Sequence, residues 1–153
     1  MKYVIIIGAS ENGKSTTINE VCKRFKPTKA WELNSDKVFV EVKANVGMYN
    51  GTYLIEVNGV LILVAAGSPT EQDITITDLV KIALKLGFNI KFLIVAMRTF
   101  EKKSGFNTPK ELEKLGTKIY QEKIYKIEGD YKASSEWNNR VNKIVSSIEA
   151  YII

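Results

Sequence analysis

Tyr3-Val4-Ile5-Ile6-Ile7-Gly8-Ala9-Ser10-Glu11-Asn12-Gly13-Lys14-Ser15-Thr16 sets the reading of this chain. Its first five residues are a continuous β-branched and aromatic run, the pattern of a central parallel strand covered on both faces. A glycine-bearing loop follows. After it, Ile18, Val21, Cys22 and Phe25 fall at i, i+3, i+4 and i+7, the period of an amphipathic helix. Pro27 stops that helix. Residues 8–15 fit G-x-x-x-x-G-K-[ST] between strand and helix. At average glycine usage, the four fixed positions match by chance in roughly one chain of this length in two hundred. The flanking strand and helix make accident rarer still.

Each residue type in the loop has a physical reason. Glycines reach backbone angles closed to other residues and let the chain approach a phosphate closely. Successive N–H groups then point inward and form an anion nest at a helix N-terminus. Gly8, Ala9, Ser10, Glu11, Asn12, Gly13, Lys14 and Ser15 are therefore the candidate phosphate-binding residues, backed by the Thr16 hydroxyl. Lys14 is the expected point charge on the β- and γ-phosphates. The Ser15 hydroxyl is the expected Mg²⁺ ligand.

Further along, residues 37–43 alternate as a half-buried strand does. Asn50-Gly51 is a turn signal, and Asn58-Gly59 is a tight hairpin signal between strands at 52–57 and 60–65. The second of these is expected to return into the parallel sheet. Ser68-Pro69-Thr70-Glu71 and Thr108-Pro109-Lys110-Glu111 each offer an N-cap hydroxyl, proline at N1 and glutamate at N3. The first helix is expected to run, with a break, to Leu86 and end at Gly87, and the second to end near Leu115-Gly116. Residues 90–97 read as a buried strand and 123–127 as a short last strand. Trp137, Val141, Ile144, Val145, Ile148 and Ile152 mark a terminal amphipathic helix. The chain shows no repeat or linker, so residues 1–153 are expected to form a single nucleotide-binding domain. The alternation of elements predicts an α/β fold, a three-layer α/β/α sandwich with a mostly parallel sheet and one antiparallel hairpin.

On residues 3–25 the chain resembles the P-loop NTPase superfamily, whose Walker A loop has this form. The resemblance implies that superfamily's fold, binding of ATP or GTP with Mg²⁺, and phosphoryl transfer. A second, degenerate resemblance, to the small-GTPase-like branch, covers residues 52–71. Gly67 stands where that branch keeps a glycine whose N–H senses the γ-phosphate. Val64 stands in place of the aspartate that there holds a Mg²⁺-bound water. Where the branch reads guanine with N/T-K-x-D, this chain has Ala96-Met97-Arg98-Thr99. That substitution favours ATP over GTP.

With valine at position 64, another acid has to serve the metal. Asp36 precedes a strand and could face the loop, although Asn34-Ser35-Asp36 is also ordinary turn chemistry. Glu71 could position a water, or could close a capping box on Ser68. Asp73 reads as a first-turn helix charge. Thr28 matches a loop threonine that meets Mg²⁺ in GTPases, or is a plain loop residue. Arg98, Lys102 and Lys103 follow a strand's carboxyl end, where ligands of such sheets bind. They form either a phosphate-clamping lid or a solvated basic loop. Trp31 and Trp137 read as packing residues. The expected catalytic set is Lys14, Glu71 and Arg98. The binding set is residues 8–15 with Thr16 and Gly67, and the metal set is Ser15 and Asp36.

Composition excludes other chemistries. The chain has one cysteine and no histidine, so disulfide frameworks, Cys/His metal sites and Ser-His-Asp triads are ruled out. Its net charge of +5 favours anionic partners. Only three of its 22 basic residues are arginine, which does not indicate sequence-reading of nucleic acid. The apolar run at 3–7 is too short to span a membrane, and the expected location is cytoplasmic. Three functions follow as expectations. The first is an NTP hydrolase, the second a small-molecule or nucleotide kinase. The third is a non-catalytic nucleotide switch that signals to a protein partner.

Overall fold

A computed structural model describes residues 1–10 and 12–152. Glu11, one of the expected phosphate-loop residues, lies outside the described residues. In chain order the strands are β1 (Lys2–Gly8), β2 (Lys29–Leu33), β3 (Phe39–Val42), β4 (Thr52–Val57), β5 (Val60–Ala65), β6 (Ile90–Arg98) and β7 (Thr117–Lys123). The helices are α1 (Lys14–Arg24), α2 (Pro69–Gln72), α3 (Ile76–Lys85), α4 (Thr108–Leu115) and α5 (Ser135–Ile152).

The strands form one sheet in the order β3-β2-β4-β5-β6-β1-β7. Pairings β1–β6, β1–β7 and β5–β6 are parallel, whereas β2–β3, β2–β4 and β4–β5 are antiparallel. The expectation of a mostly parallel three-layer sandwich of the P-loop NTPase kind, with a single hairpin, is thereby corrected: the sheet is mixed, and half its pairings are antiparallel. The reason is local. The sequence reading places no strand between Pro27 and Lys37, but Lys29-Ala30-Trp31-Glu32-Leu33 forms β2 and inserts between β3 and β4. Its Ala30 is fully buried with α1 and α5, while Trp31 and Leu33 pack on the opposite face. The last strand is also displaced: β7 begins directly after Gly116 and ends at Lys123.

β1 is buried from Tyr3 to Gly8, and its side chains divide between two clusters. Val4 and Ile6 meet Ile18, Val21 and Cys22 of α1 and Val141, Ile144 and Ile148 of α5. Tyr3, Ile5 and Ile7 meet Ile76, Leu79 and Ala83 of α3 and Leu112 of α4. The turn at Asn58 (φ 52°) and Gly59 (φ 77°) has both central residues left-handed, as the Asn-Gly signal requires.

Candidate phosphate-loop site

The register of the parallel strands brings one edge of the sheet to a focus. Gly8, the last residue of β1, is level with Arg98, the last residue of β6. Residues 66–71 leave the carboxyl end of the next strand, β5, and Asn50 and Gly51 enter β4 at the same edge. Gly8 itself has little room, because a Cβ there would lie 3.1 Å from Ile124 Cγ1 and 3.4 Å from Lys14 Cγ. The loop turns into α1 at Gly13, whose φ of 87° is left-handed and suits glycine. Among the described residues no side chain caps α1, and no acid lies in its first turn. The positive end of the helix dipole is therefore uncompensated by the helix itself.

Lys14 is only 6% exposed. Its Nζ donates to the Gly8 and Ala9 carbonyls, both at 3.0 Å, and lies 3.7 Å from Glu71 Oε1. Burial pulls the Lys14 ammonium below its ordinary pKa, with nearby Arg98 acting the same way and Glu71 opposing. The same Glu71 oxygen lies 3.9 Å from Arg98 NH1. The expected catalytic trio is thus assembled, with one carboxylate oxygen between two cations. The capping role of Glu71 is not seen: Ser68 is the N-cap of α2 but makes no side-chain cap bond, and its buried hydroxyl has no partner.

Ser15 Oγ donates to the Ala66 carbonyl at 2.7 Å, and Asn50 Oδ1 is 3.1 Å from it. A hard cation such as Mg²⁺ takes oxygen ligands and in phosphate sites draws much of its countercharge from the phosphates. The Ser15 hydroxyl and the Asn50 amide oxygen fit that donor chemistry. Among the described residues, no group of three or more His, Cys, Asp and Glu could hold a metal alone. Asp36 does not join the site. Its N–H donates to Asn34 Oδ1 in the β2–β3 turn, and it lines none of the cavities described at the loop.

Gly67 is also placed differently from its expected role. Its N–H donates to the Gly51 carbonyl at 3.1 Å, and a Cβ would lie 2.5 Å from the Asn50 carbonyl oxygen. The glycine serves close backbone approach. Thr28 bonds Glu56 at the opposite edge of the sheet, away from the loop. Asp73 pairs with Lys103 at 2.6 Å, and that ammonium holds the Asp73 carboxyl below its usual range.

Among the described residues, three cavities adjoin the loop. One, of about 440 Å³, is lined by Ser10, Gly13, Lys14, Ser15, Tyr49, Asn50 and Glu71. Another, of about 370 Å³, holds Ala9, Thr70, Arg98, Phe100, Lys102 and Lys103. A smaller one, of about 170 Å³, lies beside Asn12, Gly13 and Thr16 and is walled by Lys126, Tyr131, Trp137 and Arg140. Arg140, buried on α5, donates to the Tyr125 carbonyl at 2.6 Å and reaches Thr17 Oγ1 at 3.5 Å. Asn50, Arg140 and Tyr131 are among the site residues that the sequence reading missed. Arg140 carries one usable signal: it lies on the buried stripe of α5, three residues after Trp137 and next to Val141.

No family model, curated protein or solved structure matches the chain.

Proposed function

We propose that loop 8–15 binds the phosphates of a nucleoside triphosphate, as the Walker A loop it resembles does. One observation carries the reading. Among the described residues, Lys14 and Arg98 converge on a single side-chain anion, Glu71, and the uncapped start of α1 lines the same cavity. Two full charges and about half a charge from the helix end face one carboxylate, which leaves the centre short of negative charge. Phosphates supply it. Ser15 and Asn50 are the residues that would hold an accompanying Mg²⁺, which supplies neutralisation of phosphate charge. The small cavity beside Tyr131 and Trp137 offers an aromatic wall for the base.

A reading without efficient turnover has its own support. Val64 is fully buried where the small-GTPase-like branch has its metal acid, and Glu71 is paired with two cations rather than turned to a water. Under that reading the protein is a nucleotide-dependent switch, and hydrolysis or transfer to an acceptor is slow.

Titration calorimetry with ATP and GTP, with and without Mg²⁺, tests binding. Lys14→Ala is expected to weaken triphosphate binding at least about tenfold, the scale of losing a charge-assisted contact. Equal affinity in wild type and Lys14→Ala for both nucleotides would overturn the assignment. Free phosphate release, followed with the same proteins, separates hydrolase from switch.

A further inference from the structure

We infer that Glu71 is an internal stand-in for the terminal phosphate, so that the resting site accepts a nucleoside diphosphate as it stands and a triphosphate only by displacing Glu71. The inference rests on the phosphate-site reading above. Its basis is the shared oxygen: Glu71 Oε1 lies 3.7 Å from Lys14 Nζ and 3.9 Å from Arg98 NH1. An anionic oxygen between these cations does what an oxygen of a third phosphate would do there. Both cannot be present together, because two anions in one slot repel. Glu71 lines the cavity over Lys14 and Ser15, and the neighbouring Thr70 lines the cavity on the Arg98 side.

The segment that carries Glu71 is built to rearrange. α2 is a single turn ending at Asp73 in the left-handed region (φ 58°), a helix-ending conformation that aspartate tolerates better than most non-glycine residues. Ser68 Oγ and Thr70 Oγ1 are buried without hydrogen-bond partners, a cost that a second arrangement relieves. The ends are held: Gln72 Nε2 donates to the Gly67 carbonyl, Thr52 Oγ1 donates to Gln72 Oε1, and Lys103 pairs with Asp73. A triphosphate therefore competes with Glu71 for Lys14 and Arg98 and releases the turn between fixed ends. That movement reports the third phosphate to the rest of the protein.

The test is the ratio of diphosphate to triphosphate affinity, measured by calorimetry with ADP, GDP and the β,γ-imido triphosphates, which are not turned over. Glu71→Gln keeps the shape and removes the charge. It is expected to tighten triphosphate binding roughly tenfold relative to diphosphate, within the usual range of couplings between two ligands of one site. Arg98→Gln is expected to do the opposite, weakening triphosphate binding roughly tenfold relative to diphosphate. Opposite shifts are what a merely structural role would not give. If nucleotides bind but both variants leave the ratio unchanged, the stand-in role is wrong. If neither wild type nor Glu71→Gln binds any of these nucleotides, the phosphate-site reading itself fails.

Discussion

Cys22 shows how far burial alone decides chemistry here. It sits on the inner face of α1, fully enclosed, and its thiol is pushed up to about 12 by burial. Its ordinary value is 9.0. The folded pKa is the higher one, so the stability from a neutral thiol is whole below about pH 9 and is lost as pH rises toward 12. Near neutral pH the thiolate, the reactive form, is scarce and shielded. Native protein at pH 8 is therefore expected to resist an aromatic disulfide reagent for hours, while unfolded protein reacts fully within minutes; rapid reaction of the native form would show that α1 opens. The phosphate-loop side chains were legible because a motif of adjacent residues names them. Asn50 and Arg140 were not, since each reaches the loop region across a long stretch of chain: 35 residues separate Asn50 from Ser15, and 123 separate Arg140 from Thr17. Only a fold can bring such pairs together.

The two helix starts with the same Ser/Thr-Pro-x-Glu grammar diverged in the structure. At α4 the cap moves one residue back. Asn107 Oδ1 accepts from Lys110 N, and Glu111 Oε2 accepts from Asn107 N, so a reciprocal box forms around asparagine. At α2 the glutamate is drawn away to Lys14 and Arg98 and Ser68 is left unpartnered. Two cations attract a carboxylate more strongly than one backbone N–H does, and the local rule loses to the tertiary charge. The sequence reading allowed a break without placing it; the structure puts it at residues 73–75, and Thr75 restarts the chain as the N-cap of α3, accepting from Asp78 N at 3.2 Å. Gly67 gives a sharper case. The chain at 50–51 crosses it so closely that a Cβ would fall 2.5 Å from a backbone oxygen. Backbone cannot step aside as a side chain can. Gly67→Ala is expected to destabilise by roughly 1–3 kcal/mol, read as a lower denaturant midpoint. It should also move Asn50 from Ser15 and weaken Mg²⁺-dependent nucleotide binding. An unchanged midpoint would mean that the chain at 50–51 yields readily to a methyl group at position 67.

The order β3-β2-β4-β5-β6-β1-β7 explains why the site was more legible than the architecture. β1, β5 and β6 are continuous apolar runs, and sequence alone marks them as buried parallel strands. β2 is short and carries two charged residues among its five, so periodicity gives it little weight, yet it converts that side of the sheet to antiparallel pairing. The site lies on the well-marked side and draws in the ends of several elements: β1, the start of α1, the exit of β5, the end of β6 and the entry to β4. Among the described residues no helix is long and apolar enough to cross a membrane. A ligand seated there would tie these elements together, so its binding energy should appear in the unfolding of the whole protein. At a hundredfold excess over its dissociation constant a ligand adds about 2.7 kcal/mol. For a chain of this length that is a rise in Tm of about 5–10 °C. Scanning fluorimetry with saturating ATP, GTP and their diphosphates is expected to show that rise in wild type and to lose it in Lys14→Ala. The rise should also shrink as salt screens the cations. An equal rise in both proteins would mean that the nucleotide is held by the general positive surface rather than by loop 8–15.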